Sequence, residues 1–109
     1  MVTSGGSNNQ VDAIINADQV TVDITKTGGG NTTTLNLTGY KGAVDLTVLG
    51  ASNATNITQS GGGATGHVAT LNINGSGNNT TITQSGTINT TVNLAVAGSN
   101  NTYSITTGN

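Results

Sequence analysis

The chain has 109 residues, of which 32% are hydrophobic and only 2% are aromatic, so it lacks the apolar bulk of an ordinary globular core. Charged residues amount to 6% and proline is absent, which argues against an intrinsically disordered chain. Its two lysines and net charge of −2 exclude the basic patch that nucleic acid requires, and the lack of cysteine excludes disulfides and thiolate chemistry.

The chain consists of five similar segments, which we interpret as one repeat domain spanning residues 1–109. The segments are residues 1–18, 22–39, 44–61, 69–86 and 92–109, of which the first is the most degenerate. The other four align without gaps from Val22, Val44, Ala69 and Val92. Self-similarity at a nearly constant period is typical of a stacked repeat architecture.

Each repeat begins with a short segment in which apolar and polar residues alternate. In the second repeat the positions expected to face inward hold Val22, Ile24 and Lys26. Alternation with a period of two predicts a β-strand with one buried face. The central inward positions form one predicted apolar column, which comprises Ile24, Leu46, Leu71 and Leu94.

A turn follows each first strand and is marked by a glycine and, three residues later, an asparagine. Glycine adopts positive φ without steric cost, and asparagine tolerates the left-handed region while its amide bonds the turn backbone. The predicted turn residues are Gly6, Gly28, Gly50, Gly75 and Gly98, with Asn9, Asn31, Asn53, Asn78 and Asn101. Successive asparagines are 22, 22, 25 and 23 residues apart, so we expect the extra residues to lie in loops.

A second alternating segment completes each repeat and predicts a second strand. Its inward column comprises Leu35, Ile57, Ile82 and Ile105. Gln59 and Gln84 hold equivalent inward positions, where stacked amides form a ladder of hydrogen bonds. Two strands and two turns per repeat predict an all-β fold, a parallel β-solenoid of about five coils with two strands per coil.

Charged side chains are confined to the first 45 residues of the chain. Asp23 and Asp45 occupy equivalent sites on neighbouring coils, where stacked carboxylates repel each other. We interpret this pair as gatekeeper charges that slow the nucleation of assembly. The rest of the chain carries no charged side chain, so nothing there opposes pairing between strand edges.

No constellation of residues predicts an enzyme or a cofactor site. His67 is the single histidine, has no cysteine or carboxylate pair beside it, and is predicted to be a solvated loop residue. The glycine runs at 28–30 and 61–63 lack the Lys-Ser/Thr pair of a phosphate-binding loop and are interpreted as turns. There is no run of about 18 apolar residues, so no membrane insertion is expected.

Two turn sequences resemble those of a known family, the curlins. They are Gln59-Ser60-Gly61-Gly62-Gly63 and Gln84-Ser85-Gly86-Thr87-Ile88-Asn89, each preceded by Ile-Thr, and they look like the Gln-x-Gly-x-x-Asn turn that joins two strands of a curlin repeat. The resemblance covers essentially the whole chain, since five repeats of this length match the organisation of the major curlin. Departures occur at Ala64, in place of the turn asparagine, and at Lys26, Val48, Ile73 and Val96, where curlins often have glutamine.

The resemblance implies a self-assembling structural subunit of an extracellular, amyloid-type fibre of the bacterial biofilm matrix. Its copies would stack head to tail into cross-β fibres, so the expected partner is the protein itself, with a nucleator and an outer-membrane exporter as further implied partners. No catalytic activity and no cofactor are expected. No basic and apolar leader follows Met1, so an extracellular location implies a targeting segment outside this sequence.

Two other functions stay open at the level of the sequence. A virion or tail fibre component is favoured by the direct start of the repeats at Met1. A β-solenoid ice-binding protein is suggested by the outward face of the second strands, which resembles the Thr-x-Thr faces of that class. This face carries Thr34, Asn36, Asn56, Thr58, Thr81, Thr83, Ser104 and Thr106.

Overall fold

Ten β-strands form the regular structure in the computed structural model, which describes residues 1–61 and 66–108. The strands are β1 (Val2–Gly5), β2 (Gln10–Asp18), β3 (Thr21–Thr27), β4 (Thr32–Tyr40), β5 (Ala43–Leu49), β6 (Ala54–Gly61), β7 (Val68–Asn74), β8 (Asn79–Gln84), β9 (Thr91–Ala97) and β10 (Thr102–Thr107). These two ranges contain no helix. Gly62, Gly63 and Ala64 of the curlin-like turn lie outside the described residues.

The strands form two parallel sheets of five strands each. The odd-numbered strands lie in one sheet in the order β1-β3-β5-β7-β9, and the even-numbered strands lie in the other in the order β2-β4-β6-β8-β10. The chain therefore crosses from one sheet to the other at every turn and returns one strand further along. This is a β-solenoid of five coils with two strands per coil, and the predicted fold class is confirmed.

Equivalent residues of successive repeats lie opposite one another in these sheets. The stack in the odd-numbered sheet runs through Val2, Ile24, Leu46, Leu71 and Leu94. The stack in the even-numbered sheet runs through Ala13, Leu35, Ile57, Ile82 and Ile105. Apart from Val2 and Ala13 of the first coil, the side chains of both stacks belong to one hydrophobic cluster, so the core is a thin layer that runs from the second coil to the last.

Burial of the two stacks depends on the coil to which a residue belongs. In the three middle coils the side chains are fully buried, as Ile24, Leu35, Leu46, Ile57, Leu71 and Ile82 are. Leu94 and Ile105 were predicted to lie in buried columns, but both belong to the last coil and are only partly buried. Ala13 and Ile15 face inward in the first coil and are nevertheless exposed, Ile15 by 49%. Since each sheet ends at these coils, no further strand covers them.

Outward-facing residues alternate with the buried stacks along each strand. Asn72 and Ala95 are exposed, whereas Thr58 and Thr83 are half-buried. Thr58 and Thr83 are direct partners in the register of β6 and β8. Adjacent strands are about 4.8 Å apart, so the side chains of Thr58 and Thr83 partly shield each other from solvent.

Changing Ile82 and Thr83 to aspartate separately tests the inward and outward assignment. Ile82→Asp should lower the free energy of unfolding by about 3 kcal/mol or more, because it removes a buried apolar side chain and introduces a carboxylate into the core. Thr83→Asp should cost much less, because its side chain stays at the surface. Chemical denaturation followed by circular dichroism measures both. Equal losses would contradict the register, since a slip by one residue exchanges the two faces.

Candidate functional site

A file of five asparagine side chains runs along one side of the solenoid, at the turn after each odd-numbered strand. Its members are the predicted turn asparagines Asn9, Asn31, Asn53, Asn78 and Asn101, and we call it the asparagine ladder. The three middle members are fully buried. Each of the last four donates its backbone N–H and its Nδ2 to Oδ1 of the asparagine in the preceding coil, at 3.0–3.1 Å.

In the three middle coils, the second hydrogen on Nδ2 connects the ladder to the turn glycines. Asn31 donates to the carbonyl oxygen of Gly50 at 2.9 Å, and Asn53 donates to that of Gly75 at 2.8 Å. A buried amide in the middle coils therefore uses both of its donors and accepts two hydrogen bonds. An unpaired buried amide would cost about 1–3 kcal/mol of stability. Because all of these hydrogen bonds are made, polar side chains can occupy the interior of the turn.

The turn glycines are required by backbone conformation and by close approach between coils. Gly6, Gly28, Gly50, Gly75 and Gly98 all have positive φ. At Gly50, where φ is +120°, a β-carbon would collide with the carbonyl oxygen of Gly75 in the next coil. The residue before each ladder asparagine is also left-handed, namely Asn8, Gly30, Ser52, Gly77 and Asn100. The turns can therefore stack directly on one another, which holds the asparagines in line.

The asparagine ladder has a direction, because every rung donates toward the N-terminal coil. At its last member, no described donor reaches Oδ1 of Asn101, and one Nδ2 hydrogen turns back to the Ala97 carbonyl at 3.3 Å. At its first member, the backbone N–H of Asn9 has no partner in the described chain, and Nδ2 turns back to the Gly5 carbonyl at 2.9 Å. One end thus presents the Oδ1 acceptor of Asn101, and the other end presents the backbone N–H of Asn9.

Gln59 and Gln84 form a shorter ladder on the opposite side of the core. Gln59 Nε2 donates to Gln84 Oε1 at 2.7 Å, so the structure brings the two predicted amides together. Leu37 and Thr107 occupy the equivalent positions in the flanking coils, and Gln59 Oε1 has no partner among the described residues. The continuous ladder is therefore the one formed by the asparagines, whereas the glutamines supply one rung.

The predicted gatekeepers lie on the outer surface of the odd-numbered sheet. Asp23 and Asp45 are direct partners in the register of β3 and β5, and both are exposed. Lys41 does not pair with them but places its Nζ over the ring of Tyr40, 5.2 Å from the ring centre. The two carboxylates therefore repel each other in the folded chain, and their role in slowing nucleation stays a prediction.

Lys26 is the one charged side chain in the described residues that is fully buried. It occupies an inward position between Ser4 and Val48 in register. Its Nζ donates to the carbonyl oxygens of Gln10 at 2.6 Å and Asn31 at 3.1 Å. Burial disfavours the ammonium and lowers the pKa of Lys26 to about 8. The side chain therefore links the first two coils while keeping a charge in the core at neutral pH.

His67 is buried, with 1% of its surface exposed, so the prediction of a solvated loop residue is wrong. It lies directly before β7, where the chain returns from the second turn into the odd-numbered sheet. Its ring nitrogens contact the Thr90 hydroxyl at 2.8 Å and the Ser60 carbonyl oxygen at 3.1 Å. These contacts connect three successive coils, and they remove the ring from solvent.

Comparison with known protein families, curated proteins and solved structures finds no match to the chain. Within residues 1–61 and 66–108, no helix is long and apolar enough to cross a membrane. Over the same residues, no three side chains of the His, Cys, Asp and Glu types come together as ligands for a metal ion. The asparagine ladder and the uncovered coils at its two ends are thus the features from which a function can be argued.

Replacing Asn53 by alanine tests the contribution of the asparagine ladder. The change removes the rungs on both sides and leaves buried donors and acceptors unpaired, so the free energy of unfolding should fall by about 2–4 kcal/mol. Asn79→Ala is the matched control, because Asn79 lies nearby but is exposed, and it should change stability by less than about 0.5 kcal/mol. Denaturant titration of both variants measures the difference, and equal stabilities would contradict the account.

The buried ammonium of Lys26 predicts an unusual dependence of stability on pH. Between pH 8 and 10.5 the unfolded chain binds more protons at this side chain than the folded chain, so the free energy of unfolding should rise as the pH is raised through that window. Lys26→Met should remove this rise and stabilise the protein at pH 7 by about 1–3 kcal/mol.

Denaturation curves at several pH values compare the Lys26→Met variant with the parent protein. Both chains contain Lys41 and the two tyrosines, so the difference between their profiles isolates Lys26. Parallel profiles for the two chains would exclude a depressed pKa at this position.

Proposed function

We propose that the protein is a self-assembling structural subunit whose copies stack head to tail into a fibre. The observation that carries this proposal is the complementarity of the two ends of the asparagine ladder. Asn101 at one end has an unused acceptor, and Asn9 at the other end has an unused backbone donor. In the middle coils the same groups bond to each other, so a second copy of the chain supplies the missing partner of each.

The internal geometry specifies the contacts of such a junction. Asn101 Oδ1 of one copy would accept from the backbone N–H of Asn9 of the next copy, as Asn78 Oδ1 accepts from that of Asn101 at 3.0 Å. Nδ2 of Asn9 would donate to the same oxygen in place of its present bond to the Gly5 carbonyl. The strand edges would continue in the same way. The N–H of Asn79 donates to the Asn101 carbonyl at 2.8 Å, and the N–H of Thr102 would donate to the Asn9 carbonyl of the next copy.

The apolar stacks also continue across this junction. Continuation of the register places Val2 of the next copy against Leu94, and Ala13 against Ile105. Val2 is 54% exposed and would become covered. Burying apolar surface of this kind favours association.

The charge distribution favours the same contact. The last coil carries no charged side chain, so it does not repel the first coil of the next copy, whose Asp12 and Asp18 are exposed. Neither β9 nor β10 contains proline or lysine, the residues that commonly protect a strand edge from pairing. Both exposed edges are therefore free to add a parallel strand.

The setting that we propose for this fibre is the extracellular bacterial biofilm matrix, as an amyloid-type fibre of the curli kind, with a nucleator and an exporter as additional partners. Support for this finer proposal comes from the curlin-like strings at Gln59 and Gln84 and from the uncharged, amide-rich stacking of the later coils. A virion or tail fibre would use the same head-to-tail contact. The genomic neighbourhood of the coding sequence separates the two settings.

The ice-binding alternative draws on the outward face of the even-numbered strands. Thr34, Asn56 and Thr81 are successive partners on that face, and they form a regular polar row. A monomeric ice binder would need covered end coils, whereas Val2 and Ile15 are uncovered apolar residues in the first coil. We therefore favour assembly over ice binding.

Electron microscopy after quiescent incubation of the purified protein tests assembly directly. We expect long unbranched fibres, and fibre diffraction should give a reflection near 4.7–4.8 Å along the fibre axis, the spacing of hydrogen-bonded strands. A protein that stays monomeric at high concentration and inhibits ice growth would overturn the proposal in favour of the alternative.

Comparing Asn101→Ala with Asn53→Ala tests the junction itself. In the soluble chain Asn101→Ala should cost less stability than Asn53→Ala, because Asn101 has a ladder neighbour on one side only. In a fibre Asn101, like Asn53, would have a ladder asparagine on both sides. Asn101→Ala would remove the rung at the junction between copies, so it should slow the extension of parent seeds by about tenfold or more. Seeded thioflavin kinetics measures the rate, with Asn79→Ala as the control. Extension at the parental rate would mean that copies associate through another surface.

A further inference from the structure

The pair Asn74-Gly75 is the one place in the sequence where a glycine follows an asparagine. The backbone nitrogen that follows an asparagine can attack its side-chain amide carbon, and a side chain on the following residue hinders that attack. Glycine has no side chain, so this pair is the most reactive of its kind in the chain. Asn74 is exposed at the end of β7, and its side-chain amide forms no hydrogen bond to a described residue.

The stacking of coils requires the glycine of this pair but not the asparagine. Gly75 has a φ of +143°, and an added β-carbon would collide with the carbonyl oxygen of Gly98 in the next coil. The position before the turn glycine accepts both polar and apolar residues, since the other coils hold Gly5, Thr27, Leu49 and Ala97 there. The reactive pair therefore occurs in the fourth coil alone.

The peptide unit between Asn74 and Gly75 is hydrogen-bonded to the coils on both sides. The Gly75 N–H donates to the Leu49 carbonyl at 2.9 Å, and the Asn74 carbonyl accepts from the Gly98 N–H at 3.0 Å. The Gly75 carbonyl accepts from Nδ2 of Asn53, a member of the asparagine ladder, at 2.8 Å. The nitrogen that would attack the side chain is thus held by its own hydrogen bond.

The backbone conformation of the strand also keeps the two reacting atoms apart. Ring closure requires the β-carbon of Asn74 and the nitrogen of Gly75 to be eclipsed about the bond between Cα and the carbonyl carbon. A ψ of about +115°, as in a parallel strand, turns these two groups away from each other. The peptide unit must therefore rotate out of the sheet before it can react, and this rotation breaks its bonds to Leu49 and Gly98.

We propose that Asn74-Gly75 is a self-modifying site, which the stacked coils keep unreactive and which deamidates when the fourth coil opens or is unfolded. The Gly75 nitrogen loses its proton to hydroxide and forms a bond to Cγ of Asn74, and the side-chain nitrogen takes a proton from water and leaves as ammonia. The resulting five-membered imide then adds water. Breaking its bond from nitrogen to Cγ gives aspartate, and breaking its bond from nitrogen to the backbone carbonyl carbon gives isoaspartate.

The isoaspartate product cannot rebuild the turn. Its main chain is longer by one carbon, so Gly75 no longer meets both Leu49 and Asn53 in register. The former Asn74 carbonyl, which accepts from Gly98, becomes a carboxylate outside the main chain, in a part of the molecule with no other charged side chain. A chain that stays unfolded therefore converts itself irreversibly into one that cannot complete its later coils. This site belongs to the single chain and does not depend on assembly.

Incubating the soluble protein in native buffer and in denaturant, at the same mildly alkaline pH, tests the protection by stacking. Tandem mass spectrometry locates each deamidated asparagine, because the exchange of NH₂ for OH changes the mass. Asn74 should react about a hundredfold or more slowly in the folded chain than in the unfolded chain. Asn72 is the internal control, because it is exposed in the same strand but is followed by Ile73. Equal rates at Asn74 in the two states, or faster reaction at Asn72 than at Asn74 in denaturant, would overturn the proposal.

Asn74→Thr tests the consequence for folding, because threonine occupies the equivalent position, Thr27, in the second coil and cannot form the imide. After a long incubation in denaturant, the fraction of the parent protein that refolds should fall in step with its isoaspartate content, whereas Asn74→Thr should refold completely. Freshly prepared Asn74→Asp separates the two features of the product, since it has the new charge on a normal backbone. It should refold like the parent.

Hydrogen exchange of the isoaspartate chain, purified by anion exchange, reports the damaged turn directly. Its Gly98 amide should exchange at least about tenfold faster than that of the unmodified parent. An isoaspartate chain that refolds with the stability and the Gly98 protection of the parent would overturn the proposal. A loss of refolding in Asn74→Thr at the parental rate would overturn it as well.

Discussion

Each coil of this solenoid is hydrogen-bonded to the coils that neighbour it, and this parallel stacking determines which residue each position of the repeat can hold. The partner of a backbone group lies one repeat away, so a side chain at one position stands next to its own equivalents at the spacing of two strands. A position is then stable only if its residue tolerates a copy of itself as a neighbour. Apolar residues tolerate such a neighbour in the core, and glycines tolerate it in the turns, where carbonyls of adjacent coils approach closely. Asparagine and glutamine tolerate it because their amides donate to one neighbour and accept from the other.

The stacking constraint also explains how a chain with 2% aromatic residues has a defined interior. The apolar layer is thin, and the asparagine ladder closes it at one turn with fully paired buried amides. Among the residues that the structure describes, the other turn has no equivalent ladder. There the single glutamine rung, His67 and Thr90 form a network that is particular to the later coils. At the opposite end, Lys26 connects the first two coils with a charge that burial destabilises.

Alternation and repeat length were enough to predict the β-solenoid, its register and the two apolar columns, because both signals are local and recur in every repeat. The partial burial of Leu94 and Ile105 was missed, because alternation reports the direction of a side chain along a strand but not whether another strand lies beyond it. Asparagine was predicted from its turn preference, whereas its pairing with the next asparagine arises only when turns stack. His67 follows the segment where the repeat is longest, so no equivalent position in another coil indicated that it is buried. Its partner Thr90 lies 23 residues away in the sequence.

The central claim is that the asparagine ladder sets the stacking of coils within a copy and continues from one copy to the next. Solid-state nuclear magnetic resonance of fibres grown from an equal mixture of ¹³C-labelled and ¹⁵N-labelled protein tests it most directly, because each contact between the two labels joins different copies. The account predicts contacts between Asn101 of one copy and Asn9 of another, with contacts between equivalent residues of two copies absent. Contacts of Asn53 with Asn53, and of Asn101 with Asn101, would mean that identical segments stack in register between chains, and they would contradict a fibre built from intact solenoid coils.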